Sequence, residues 1–196
     1  MSAASNVMTV TLTANYDLST GSTVTVTKLA GSATASSSSL AVTTCESSSL
    51  GSSGDWDKDT GTLILTVATT VAANTDCEIK FTLTNPTSDL TSPDVSVQAA
   101  LTDGSSSIGS IASAAMVSPT GELYGISGGL APLEVVVPAF TQTGSIQQST
   151  PVAEDTSNVI SVTLTSNYRL KTGSEGAAAN VTISGLTGTQ LSLIHI

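Results

Sequence analysis

The sequence predicts an all-β protein, an antiparallel β-sandwich present in tandem copies. Three observations carry this reading. Thr and apolar residues alternate through several short segments, which puts an apolar face opposite a hydroxyl face at period two. Gly, Pro, Asn and Asp punctuate those segments at turn-like intervals. Finally, the stretch Asn6–Ser22 returns as Asn158–Ser174, with 12 of 17 positions identical at an offset of 158 − 6 = 152 residues. A repeat of that length is a whole domain, not the stacking unit of a solenoid.

Seven strands are predicted in the first copy. Met8, Val10 and Leu12 alternate with Thr9, Thr11 and Thr13, and Val24 and Val26 alternate with Thr23, Thr25 and Thr27. Leu40 and Val42 make a shorter third strand. Leu63, Leu65 and Val67 form a fourth, entered from the turn Asp59-Thr60-Gly61. Ile79, Phe81 and Leu83 form a fifth that Asn85-Pro86 terminates, because proline cannot continue a central ladder. Val95, Val97 and Ala99 supply a sixth after Pro93, and Leu133–Val137 a late seventh closed by Pro138. The apolar face of each strand requires a second sheet to cover it, hence two layers. The Ser runs 36–39 and 47–53 read as loops, and residues 102–130, rich in Gly, Ser and Ala, as a long excursion.

The domain plan is therefore a complete repeat over residues 6–148, a linker at 149–157, and the first two strands of a second, truncated repeat at 158–190. Two strands alone are marginal in water, so this piece is expected to fray or to lean on its neighbour. The final six residues, Leu191–Ile196, read as a translated transposon-end sequencing adapter and contain the chain's single histidine, His195. Residues 1–5 show no secretory signal pattern, and Met1 reads as an internal methionine of a longer protein.

Composition narrows the function classes. Ser and Thr number 32 each in 196 residues, and the formal charge is −10 with five basic residues. That sign repels phosphate backbones and anionic lipid, so neither nucleic acid nor a membrane surface is an expected partner. No apolar run approaches the length of a spanning helix.

Candidate sites are few. Asp55-Trp-Asp-Lys-Asp-Thr-Gly61 sets Asp55, Asp57 and Asp59 at alternate positions, as an EF-type calcium loop opens. The pattern then departs: Thr60 stands where that loop needs glycine, and Thr66 where it needs a bidentate Glu. The competing reading is a hairpin turn whose Asp side chains bond local N–H groups, with Gly61 left-handed. Trp56, the single tryptophan, either packs into the core or stacks on sugar rings as a carbohydrate-binding platform. Cys45 and Cys77 are the only cysteines. A bridge closing 77 − 45 = 32 residues would contribute about 3–4 kcal/mol by chain entropy, although spacing alone does not bring them together. Asn180-Val-Thr182 is an N-glycosylation sequon within a predicted strand. Tyr16 and Leu18 recur as Tyr168 and Leu170, and a leucine there is expected to plug the end of the core. No nucleotide-binding glycine loop or metal-ligand spacing is present, and no catalytic residue or cofactor is assigned, calcium aside.

The opening Val-Thr-Leu-Thr-x-Asn, the strand Thr-Gly-Thr-Leu-Ile-Leu-Thr and the ending Phe-Thr-Leu-Thr-Asn-Pro resemble Thr/Ser-rich immunoglobulin-like tandem repeats of large secreted or cell-surface proteins. The resemblance covers most of residues 6–101 and is one of texture. It implies an immunoglobulin-like sandwich in an extracellular array, a spacer or adhesive module without catalysis. Its partners would be neighbouring repeats, glycans or surface proteins. The alternatives are a carbohydrate-binding module using Trp56 and the excursion 102–130, or an accessory region of a secreted hydrolase.

Overall fold

The computed structural model describes residues 5–141, 144–171 and 179–187. It divides into two compact units, one ending at Ala139 and the other beginning at Phe140.

Among its described residues, the first unit is all-β apart from a single helical turn. Its strands are β1 (Ser5–Thr13), β2 (Thr23–Thr27), β3 (Ser37–Thr43), β4 (Ser53–Asp57), β5 (Thr62–Thr66), β6 (Asp76–Thr84), β7 (Ser96–Thr102) and β8 (Ser107–Ala115). The helical turn α1 (Cys45–Ser48) follows β3. The strands form one antiparallel sheet in the order β1-β6-β3-β4-β5-β2-β7-β8. The sheet curls into two layers at β3. The start of that strand pairs with β4 (Ser37↔Trp56, Leu40↔Gly54), its end pairs with β6 (Val42↔Phe81), and the register shifts between Ser37 and Leu40. A bulge of this kind bends a strand and lets it serve two sheets.

The period-two pattern places the core. Along β6, Cys77, Ile79, Phe81 and Leu83 are buried, while Glu78, Lys80 and Thr82 face outward. Met8 lies opposite Phe81 and Val10 opposite Ile79, so β1 and β6 bury the same face. From the other layer come Val24 and Val26 of β2, Leu63 and Leu65 of β5, and Ala99 and Leu101 of β7. Leu18 closes one end of the core through paired backbone hydrogen bonds with Val71. Gly54 has no side chain because there is no room for one: a Cβ would lie 2.7 Å from methyl carbons of both Leu63 and Leu65.

Several expectations are corrected here. The Ser run 36–39 is mostly strand β3 rather than a loop, and of the run 47–53 Ser53 opens β4 and Ser48 closes α1. Serine is compatible with a strand when a neighbour supplies the ladder, as Trp56 does opposite Ser37. The excursion 102–130 contains β8, nine residues paired with β7. Its alternation was invisible because β8 is a sheet edge exposed along nearly its whole length, so neither side chain face is selected for apolarity. The predicted seventh strand at Leu133–Val137 reduces to one bridge, Leu90↔Val135, with Leu133 fully buried beside it.

The second unit holds β9 (Ser145–Gln148) and β10 (Ile160–Thr163), an antiparallel pair with Val162 opposite Ile146. The stretch expected to be a linker, 149–157, lies in the loop between them. Its Asp155 accepts hydrogen bonds from the Ser157 N–H (2.9 Å) and hydroxyl (2.7 Å). Residues 179–187 contain no strand, so the repeat's predicted second strand is not formed there. Leu170, expected to mirror Leu18, is 47% exposed where Leu18 is 1% exposed. Val181 and Ile183, which correspond to the buried Val24 and Val26, are also about half exposed. The expected adapter, Leu191–Ile196, lies outside the described residues.

Candidate functional site

The segment Asp55–Gly61 is the end of β4 and the turn into β5. Alternation along β4 turns Trp56 inward and leaves Asp55 and Asp57 exposed. The indole is 1% exposed, and its Nε1–H donates to the Thr34 carbonyl at 3.2 Å. That carbonyl is held in place by Thr84, whose N–H donates to Thr34 Oγ1 at 2.6 Å and whose carbonyl accepts from Ser32 Oγ at 3.0 Å. A ring enclosed in this way offers no face to a sugar, which corrects the carbohydrate-platform reading of Trp56. The larger apolar area of indole is satisfied by the core and its one polar atom by a backbone acceptor.

The three aspartates do not converge. Asp57 is spent on the turn: its Oδ1 accepts the Asp59 N–H (3.0 Å) and its Oδ2 the Thr60 hydroxyl (2.8 Å). The Thr60 hydroxyl, then the Asp59 N–H, hold the Asp57 carboxyl below the ordinary aspartate range, because each stabilises the charged form. Gly61 is left-handed (φ 63°), and a Cβ there would meet the Ala30 nitrogen at 2.0 Å. Among the described residues, no three acidic, histidine or cysteine side chains form a metal-binding group. The segment takes the competing form read from the sequence, an Asx-type turn built on Asp57.

The same use of acid recurs around the unit. Asp17 Oδ1 accepts the Ala73 N–H (2.7 Å), and Asp89 Oδ1 accepts the Val137 N–H (2.6 Å). Asp103 Oδ1 accepts the N–H groups of Ser106 (2.8 Å) and Ser105 (3.0 Å) in the β7–β8 hairpin, which lowers its pKa. Much of the negative charge thus fastens loops by satisfying backbone donors that strands leave unpaired.

Cys45 and Cys77 are joined by a disulfide, with Cα atoms 4.9 Å apart. It ties the first residue of α1 to the second residue of β6, and Cys77 is wholly buried. Asn180 is exposed and lies in an irregular segment rather than in a strand. Tyr16 is half exposed beside the buried Leu18, so the recurring pair splits into a surface ring and a core plug.

One concave feature was not foreseen. A shallow groove of about 420 Å³ is lined by Ser92, Pro93 and Asp94 on one side and by Ser118–Thr120, Ser127, Gly128, Ala131 and Glu134 on the other. Glu134 already accepts the Ser92 N–H at 2.8 Å. Its residues span 134 − 92 = 42 positions of the chain and carry no shared motif, so sequence reading had no signal for it beyond the Gly/Ser-rich excursion. No aromatic residue lines it. Among the described residues, no helix is long and apolar enough to cross a membrane.

No family model matches this chain, and neither a curated protein nor a solved structure matches it.

Proposed function

We propose that this protein is a non-catalytic extracellular module, a structural spacer or adhesive surface repeat built from immunoglobulin-like sandwiches in tandem. The observation that carries the proposal is the combination of a closed sandwich stapled by Cys45–Cys77 with the return of its opening sequence 152 residues later. Disulfides persist in oxidising compartments and are reduced in the cytosol, so the staple favours a location outside the cell. The layout of the side chains supports a mechanical role. Polar chemistry at the turns is consumed in fastening loops, and the outward faces of β1 and β2 present mainly Thr hydroxyls, which hydrate well.

The test is the redox state of the protein in its own cells. Rapid thiol alkylation followed by mass spectrometry should recover Cys45 and Cys77 as a linked peptide pair in a surface or secreted fraction. Recovery of both as alkylated thiols in a cytosolic fraction would overturn the extracellular reading.

A further inference from the structure

The chain carries its edge strand twice, and the acceptor for that strand is defined residue by residue. β1 stands at one end of the sheet order and pairs with β6 alone, in unbroken register from Ser5↔Thr84 to Thr13↔Asp76. An edge strand can leave without interrupting any other ladder of the sheet. Residues 6–13 and 158–165 are identical at six of eight positions. The two differences are Met8 against Ile160 and Thr9 against Ser161, apolar for apolar and hydroxyl for hydroxyl.

Set on β6 in β1's register, the second copy places Ile160 opposite Phe81, Val162 opposite Ile79 and Leu164 opposite Cys77. Every inward position stays apolar, and Ser161 falls opposite Lys80 with no charge introduced. In its own unit this segment is paired over a shorter length: it makes four residue pairs with β9 where β1 makes nine with β6. Its Val159 and Thr165 carbonyls accept the Ser149 and Thr141 N–H groups, and Val159 and Leu164 are 60% and 44% exposed. The trade is also reciprocal: β1 in the place of β10 would set Val10 opposite Ile146, as Val162 is now. Neither β1 nor 158–165 contains a charged residue or a proline, so both suit the same ladder, and the charges of the acceptor β6, Glu78 and Lys80, lie on its outward face.

We infer that copies of this chain associate by strand exchange, with segment 158–165 of one copy taking the place of β1 on β6 of another. Because donor and acceptor are different surfaces, the association is head to tail and need not close, so it extends into linear assemblies. Covalent tethering gives β1 an effective concentration of order millimolar, so exchange grows with protein concentration and is minor in dilute solution. The inference rests on the repeat and on the β1–β6 register, not on where the protein resides.

Cysteine trapping in the full chain tests it. Lys80→Cys with Ser161→Cys forms a disulfide only when the second copy lies on β6, and both positions are exposed, so folding is not at stake. Thr9→Cys with Lys80→Cys reports the resident pairing, since Thr9 and Lys80 are opposite each other. Peptide mapping under non-reducing conditions should find the 80–161 bond in species of two or more chains, with a yield rising at least severalfold over a tenfold increase in concentration. Adding Ile160→Asp and Val162→Asp should abolish it. If the 9–80 bond forms fully while 80–161 is absent, or if 80–161 occurs only within single chains, the inference is overturned.

Discussion

Trp56→Ala separates a core tryptophan from a ligand platform. The indole is 1% exposed, so truncation removes nearly the whole of a side chain that buries 150–250 Å² in typical cores. At about 25 cal/mol per Å² this is roughly 4–6 kcal/mol, reduced to about 3–5 kcal/mol because a real unfolded chain already hides part of that area. Loss of the Nε1–H also strands the Thr34 carbonyl, adding about 1 kcal/mol. A single domain is commonly stable by about 5–15 kcal/mol, so this variant should lose a large share of its stability. Urea denaturation followed by circular dichroism measures it, since the variant has no tryptophan to report. Trp56→Phe should cost less than half as much, because a ring still fills the space beside Gly54 and Leu63. In the native protein, tryptophan emission should be shifted to short wavelength and resist quenching by iodide. A variant that lost less than about 1 kcal/mol, together with native emission readily quenched, would refute the buried-indole reasoning.

Reduction of Cys45–Cys77, or the pair Cys45→Ala and Cys77→Ala, should cost about 3–4 kcal/mol from the 32-residue loop it closes; a denaturation midpoint unmoved by reductant would contradict this. Gly61→Ala should destabilise by at least about 2 kcal/mol, because its Cβ would collide with the Ala30 backbone at a left-handed position, and thermal melts will read the change. Asp57 and Asp103 have folded pKa values below the ordinary aspartate value, so the stability they contribute is present above that value and disappears as the pH falls through the lowered one. Stability should therefore decline as the medium becomes strongly acidic, and Asp57→Asn should flatten part of that slope in pH-dependent urea titrations. Calcium and chelator should leave the melting temperature equal, since both Asp57 oxygens are already engaged; an upward shift in calcium would restore the metal reading.

Much of the first unit was legible because a buried strand face imposes a two-residue period on its own sequence. Met8/Val10, Val24/Val26, Leu63/Leu65 and Ile79/Phe81/Leu83 are read correctly from alternation alone, since each of these pairs or triads faces the same core. β4 and β8 escaped for opposite reasons. In β4 the inward positions are Gly54 and Trp56, a mismatched pair that looks like part of an acidic turn until Leu63 and Leu65 are seen filling the space over Gly54. In β8 almost nothing is inward, so no period is imposed.

The candidate site divides in the same way. Gly61's left-handed backbone and the turn chemistry of Asp57 are local, and local sequence carries them. The fate of Trp56 is not local, because the acceptor for its indole lies 22 residues away and only the pairing of β3 with β4, which sets Ser37 opposite Trp56, brings it near. The groove between Asp94 and Glu134 is likewise assembled from distant segments. What the sequence determined by itself was the all-β class, the positions of most strands and the repeat, since periodicity and self-similarity are properties of the chain. Tertiary structure alone decided which apolar residues of the repeat are covered. Leu18 is sealed and Leu170 exposed, although they occupy equivalent places, because burial requires the facing strands and not only the residue that seeks them.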